Sequence, residues 1–191
     1  GKTESIFGDW HTSRQVPRDE IVLIGKGAHS PLCYPDVIAR QLDQSLNRLK
    51  TDYLDVYFMH RDNTDIPIGE FVDAIDAEVK RGRIRGIYGG SNWTRERMDA
   101  AVDHAQKNGK AAPAALSNNF ALAEMLDPIW PGCVTSSTDE WKQWLNTRKI
   151  PNFAWSSQGR GFFTDRAGRD KQDDEEIVRC WYSDSNFERR D

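Results

Sequence analysis

The chain has 191 residues, 38% of them hydrophobic and 29% charged, which is enough for one domain-sized core. Its 26 Lys and Arg against 30 Asp and Glu leave a formal charge of −4, the wrong balance for a protein held to nucleic acid by bulk charge. Apolar runs such as Ile21-Val22-Leu23-Ile24 stop at four residues, far short of the roughly 20 that a membrane span needs. Three cysteines, Cys33, Cys133 and Cys180, are odd in number and contain no C-x-x-C. They indicate neither a zinc ribbon nor a disulfide framework, so the expectation is a reduced, cytoplasmic protein without a metal.

In chain order, Glu4 to Trp10 reads as a first helix carrying Ile6, Phe7 and Trp10, and Ile21-Val22-Leu23-Ile24-Gly25-Lys26 as a strand. Ile38, Leu42, Leu46 and Leu49 then recur at helical spacing behind Pro35, which suits a first turn. Leu54 to His60 is a second strand, and Phe71, Ile75 and Val79 form the stripe of a helix closed by Gly82. Ile84 to Ser91 is a third strand. Thr94 caps a helix burying Met98, Ala101, Val102 and Ala105 and ending at Asn108-Gly109. Ala114 to Ser117 and Asn152 to Ser156 are weaker strands. Between them Ser137 and Glu140 have capping-box spacing ahead of Trp141, Trp144 and Leu145. From Arg166 onward 14 of 26 residues are charged, which predicts a polar loop over 166–191 with the start of a helix near Asn186-Phe187-Glu188-Arg189-Arg190. Strands alternating with helices at this spacing mean βαβ units and a parallel sheet.

Each strand ends in residues unlike its apolar body: Lys26, His60, Ser91-Asn92, Ser117-Asn118 and Trp155-Ser156. A lone lysine after a strand is ordinarily a solvated turn residue, and a lone histidine a satisfied core residue. Five such ends in register are a different matter, because parallel α/β folds build active sites on the rim formed by the C-terminal ends of their strands. Other motifs fail. His60-Arg61-Asp62 is followed by Pro67 where a kinase catalytic loop needs Asn. Gly159-Arg160-Gly161 lacks the third glycine of a dinucleotide fingerprint. Lys80-Arg81-Gly82-Arg83-Ile84-Arg85 is a charged helix end running into a strand.

Together these segments resemble the aldo-keto reductases. The resemblance is carried by Ile24-Gly25-Lys26-Gly27, by Thr51 to Asp62, by Gly82-Arg83-Ile84-Arg85-Gly86-Ile87 leading into Gly90-Ser91-Asn92-Trp93-Thr94, and by Ala154-Trp155-Ser156-Ser157 leading into Arg160-Gly161-Phe162-Phe163-Thr164. It implies a (β/α)8 TIM-barrel type fold, with about five of the eight strand–helix units represented in a single incomplete domain spanning 1–191. It implies an oxidoreductase that reduces small aldehydes and ketones by hydride transfer from NADPH. Lys26 would lower the pKa of a catalytic tyrosine and His60 would hold the substrate carbonyl. Ser91, Asn92 and Ser117 would bind the nicotinamide carboxamide, Trp155 would stack on its ring, and Ser156, Gln158, Arg160 and Gly161 would wrap the pyrophosphate.

The family's catalytic aspartate and tyrosine would precede Gly1, and its last strand would follow Asp191. Ser117 stands where the family has glutamine. The expectation is therefore the central portion of a longer reductase, inactive as residues 1–191 alone. The alternative is a non-catalytic barrel-derived binding or regulatory subunit, as in the β subunits of voltage-gated potassium channels that resemble the same family, or a cofactor-binding remnant without turnover.

Overall fold

Leu54–Met59 forms β2, the strand around which the sheet is built. In the computed structural model, which describes residues 1–191, Leu54, Phe58 and Met59 have no exposed surface. Strand β1 (Ile24–Gly27) pairs with β2 in parallel, Lys26 opposite Phe58 and Gly27 opposite Met59. Strand β3 (Ile84–Gly90) pairs in parallel on the other side, Met59 opposite Gly90. A short β4 (Ala115–Leu116) follows, giving the order β1-β2-β3-β4. The near-continuous apolar body of β2 is what a parallel strand covered on both faces requires.

The helices follow the apolar periodicity. Helix α1 (Lys2–Arg14) forms, but only Gly8 on it is buried, while Ile6 and Trp10 face solvent. Its approach to α2 (Ile38–Leu49) is close enough that a Cβ on Gly8 would lie 2.3 Å from the Arg48 carbonyl oxygen. Helix α2 buries Ile38, Leu42, Leu46 and Leu49, each contributing roughly 1.5–3 kcal/mol by leaving water. Helix α3 (Ile68–Lys80) buries Phe71, Val72 and Ile75, and also Asp76 and Glu78. Those two carboxylates are paired, Asp76 with Lys80 at 2.7 Å and Glu78 with Arg81 at 3.0 Å and with Arg83. Gly82 follows with φ +73°, the left-handed turn that ends the helix. Helix α4 (Arg95–Lys107) buries Met98, Ala101 and Ala105.

Residues 1–91 with 96–115 pack as one compact unit, and residues 92–95 with 116–191 as a second. The second unit departs most from expectation. Residues 152–156 are not a regular strand. They pair with their neighbours only as isolated bridges, Asn152 to Leu116 and Trp155 to Asn119, and the Asn152 side chain stands in for a ladder bond by accepting from the Asn118 N–H at 2.9 Å. The regular strands are thus four, not five.

Helix α5 (Asp139–Arg148) starts behind Thr138 without a side-chain cap and buries no residue completely. Its expected cap, Ser137, instead accepts from the Ala121 N–H at 3.0 Å. The charged stretch after Arg166 contains two helices. In α6 (Glu175–Trp181) the Asp174 side chain caps the Ile177 N–H at 3.1 Å, and in α7 (Asp184–Arg190) Ser183 caps Asn186 at 3.1 Å. Ile177, Cys180, Trp181 and Phe187 pack with Met125, Ile129, Cys133 and Phe162 into the core of this unit. No helix is long and apolar enough to cross a membrane.

The close approach of β3 and β4 gives a test. A Cβ placed on Gly89 would lie 1.7 Å from the Ala115 carbonyl oxygen, so backbone would have to move. Gly89→Ala is expected to lower the unfolding free energy by roughly 1–3 kcal/mol, seen as a lower urea midpoint. A superimposable unfolding curve would show that β3 and β4 are farther apart.

Candidate active site

In the first unit three predicted residues converge at the C-terminal edge of the sheet. The register sets them there: the His60 N–H donates to the Gly27 carbonyl at 2.6 Å, and the Ser91 N–H donates to the Met59 carbonyl at 2.7 Å. Lys26 Nζ then lies 3.4 Å from Ser91 Oγ and 5.7 Å from the centroid of the Phe58 ring. Burial, and after it the charge of Arg61, lowers the Lys26 pKa from its ordinary value. His60 is half-buried. Burial, then His29, Lys26 and Arg61, pulls its pKa down to about 4, so near neutral pH the imidazole is uncharged and keeps one N–H donor.

The loop after His60 is anchored from α4. Arg97 Nε donates to Asp62 at 3.0 Å, and its terminal nitrogen donates to the carbonyls of Asn63 and Ile66, each at 2.9 Å. Burial raises the Asp62 carboxyl above its usual range although Arg97 opposes this. Two contacts that the sequence did not suggest lie beside His60. The His29 ring meets it edge-on with centroids 4.6 Å apart, and Cys33 Sγ donates to the Arg61 carbonyl at 3.4 Å. The only sequence signal was that His29 and Cys33 follow a strand end.

The second unit holds the other predicted residues in a buried polar network. Asn92 adopts φ +64°, its N–H donates to Asn118 Oδ1 at 2.7 Å, and its own Oδ1 accepts from Val134 N–H at 3.1 Å. The Ser117 hydroxyl donates to the Phe153 carbonyl at 2.8 Å, and the Ser117 carbonyl accepts from Trp155 Nε1 at 3.0 Å. Trp155 is half-buried with its indole plane set by that bond, whereas Trp93 is wholly buried. Beyond it the backbone turns left-handed at Ser156 (φ +53°), Gly159 (+56°), Arg160 (+59°) and Gly161 (+108°). Such a run makes a tight loop that brings backbone close to a ligand. Gln158 is exposed, and Arg160 is engaged already, with Glu176 at 2.9 Å and over the Trp130 ring at 5.1 Å. Asn118 and Asn119, both fully buried, hold this network together, and strand-end reasoning singled out only the first.

The Aldo/keto reductase family pattern matches residues 1–180. The chain belongs to the aldo-keto reductase family. It is 29% identical over 136 residues to the oxidoreductase YrpG of Bacillus subtilis, covering 65% of this chain and 41% of that protein. It is 31% identical over 108 residues to the 6-dehydroglucose reductase of Novosphingobium aromaticivorans, covering 54% and 35%. Among solved structures, an aldo-keto reductase from Klebsiella pneumoniae in complex with NADPH superimposes with a TM-score of 0.64 at 27% identity, covering 85% of this chain and 51% of that one. The chain thus spans about half or less of the length of these relatives, and its parallel α/β sheet is of their TIM-barrel type.

The low His60 pKa has a thermodynamic consequence. Between the ordinary value of 6.5 and about 4, the unfolded chain binds a proton that the folded chain does not, so stability falls as pH falls through that window. His60→Gln removes this contribution. Urea unfolding at pH 7 and pH 5 is expected to show a larger loss of stability in the parent chain than in the variant. Equal losses would mean that His60 titrates normally.

Proposed function

We propose that this aldo-keto reductase segment serves NADPH-linked reduction of small carbonyl compounds, with Lys26 and His60 as its catalytic residues. One observation carries the reading: Lys26 Nζ and the Ser91 hydroxyl meet at 3.4 Å on the edge of the parallel sheet where His60 also ends its strand. A cation there favours the anionic form of a proton-donating phenol, and so draws its pKa toward the working range. Neutral His60 donates its N–H to the carbonyl oxygen and fixes the substrate's orientation. When bound, the cofactor supplies the hydride that reaches the carbonyl carbon.

The residues of the second unit fit the parts of a nicotinamide dinucleotide by their donor chemistry. Trp155 offers a flat face whose tilt is set by the Ser117 carbonyl. Asn92 and Ser117 are short amide and hydroxyl groups of the kind that bind a carboxamide, as Ser91 is in the first unit. The left-handed loop at Ser156, Gln158, Arg160 and Gly161 suits the pyrophosphate. Complexes with NADPH in the Klebsiella pneumoniae relative support the same cofactor here. Three cysteines, odd in number and without a C-x-x-C, favour the cytoplasm as the place of action.

NADPH is expected to quench tryptophan emission, and Trp155→Ala to remove most of the quench while leaving the far-ultraviolet dichroism unchanged. An undiminished quench in that variant moves the stacking role elsewhere.

Of the five tyrosines within residues 1–191, Tyr34 is exposed and the other four have other commitments. Tyr57 is buried, Tyr88 donates to the Ala111 carbonyl at 2.7 Å, and Tyr182 donates to the Lys171 carbonyl at 2.7 Å. The Tyr53 ring lies between the guanidiniums of Arg18 and Arg85, 3.9 and 3.8 Å from its centroid. General-acid help is worth about 10²- to 10⁴-fold. Residues 1–191 alone are therefore expected to show no measurable NADPH oxidation with a simple aldehyde. Robust turnover would mean that another residue of this chain supplies the proton.

A further inference from the structure

We propose that His29 is a positioning residue for His60: its ring, fixed by the turn after β1, clamps the His60 imidazole in a single orientation. This deepens the reductase reading, in which His60 directs an N–H at the substrate oxygen, and its catalytic consequence rests on that reading. The clamp is built from the backbone outward. Ala28, immediately before His29, is wholly buried and holds φ +55°, a left-handed conformation that is costly for a residue with a Cβ. It is held there by Gln41 of α2, whose Oε1 accepts from the Ala28 N–H at 2.6 Å and whose Nε2 donates to the Leu32 carbonyl at 3.4 Å. The turn is closed by the Leu32 N–H donating to the His29 carbonyl at 2.8 Å. Within it, His29 Nδ1 lies 2.7 Å from the Ser30 carbonyl. A carbonyl only accepts, so Nδ1 carries the hydrogen and the ring's rotation is set.

The result is that an exposed histidine, which would otherwise sample several rotamers, meets His60 edge-on with centroids 4.6 Å apart and planes at 87°. That is the preferred geometry for an aromatic pair. Two further contacts staple the same turn to the loop after His60: Cys33 Sγ to the Arg61 carbonyl at 3.4 Å, and Asn63 Nδ2 to the Cys33 carbonyl at 3.1 Å. A strained, doubly anchored turn is a large outlay for a surface loop that does nothing but connect β1 to α2. The charged and titratable groups around His60 are Lys26 from β1, His29 from the turn, and Arg61 and Asp62 from the loop after β2. Of these only His29 also contributes a ring to the packing.

The test is proton NMR of the imidazole lines in the 191-residue chain, which has four histidines, assigned by single replacement. In the parent, the His60 lines are displaced by the neighbouring ring and titrate far below the ordinary value. In His29→Ala the displacement is lost and the midpoint rises toward about 6.5, with the His11 and His104 lines unmoved as a check on the fold. In His29→Phe, which keeps a ring of similar size without a charge, the displacement is retained and the midpoint stays below the ordinary value, rising only by what the His29 charge contributes, since burial leads the effect on His60. His60 lines that stay at their parent positions and midpoint in a folded His29→Ala overturn the proposal. So do His60 lines that lose their displacement in His29→Phe, the variant that decides if His29→Ala does not fold. None of these readouts involves NADPH or turnover. A failure of the reductase reading would instead show as an absent tryptophan quench, with the His60 lines unaffected.

Discussion

The parallel pairing of β2 on both of its edges is the constraint on which the placing of Lys26, His60 and Ser91 depends. The β2–β3 register shifts once, between Leu54 opposite Ile84 and Val56 opposite Ile87, and beyond that irregularity both pairings are locked at the C-terminal end by the His60 N–H on Gly27 and the Ser91 N–H on Met59. Those two bonds bring Lys26, His60 and Ser91 level with one another. The other end of the strand is tied by charge. Arg18 reaches Asp55 at 2.7 Å and the Tyr53 carbonyl at 2.9 Å, and the Leu23 N–H donates to the same Asp55 carboxylate at 2.8 Å. Both ends of β2 are therefore tied, the N-terminal end by side-chain charge and the C-terminal end by backbone hydrogen bonds beside Lys26, His60 and Ser91.

Charge and burial at the functional end work in one direction. Lys26 and His60 are both pulled below their ordinary pKa values, burial first and neighbouring cations second. For His60 this means a neutral donor, not an acid. A histidine that stays uncharged near neutral pH can donate a hydrogen bond but cannot readily give up a full proton. The second unit solves a different problem. It keeps irregular backbone ordered without a strand ladder by burying asparagine side chains as hydrogen-bonding stand-ins. Asn118, Asn119 and Asn186 are each buried, and each is bonded to backbone. That is how buried polar groups avoid the cost of going unpaired.

The helices and strands of the first unit were legible because each buries one apolar stripe or a continuous apolar body, and those periods are written directly in the order of residues. The second unit was read less well, for identifiable reasons. The high charge density after Arg166 concealed the apolar spacing of Ile177, Cys180 and Trp181, although Asp174 three residues before Ile177 is a helix-start signal. Ser137 and Glu140 looked like a capping box, but a hydroxyl can serve only where tertiary contacts leave it, and Ser137 is taken by Ala121. Residues 152–156 carried strand-like composition, yet the neighbouring asparagines took over the hydrogen bonds that a ladder would have used.

By itself, the sequence determined the alternation of strands and helices, the family, and the placing of Lys26, His60 and Ser91 at strand ends, since these depend only on local periodicity and on order along the chain. Tertiary structure alone decided what surrounds those residues. That His29 stands edge-on to His60, that Cys33 meets Arg61, and that Asn92 and Ser117 spend their side chains on Val134 and Phe153 all depend on groups about 30 to 40 residues apart in the chain. No local pattern encodes such distances; they are fixed only when the strands pair and the loops between them are forced into contact.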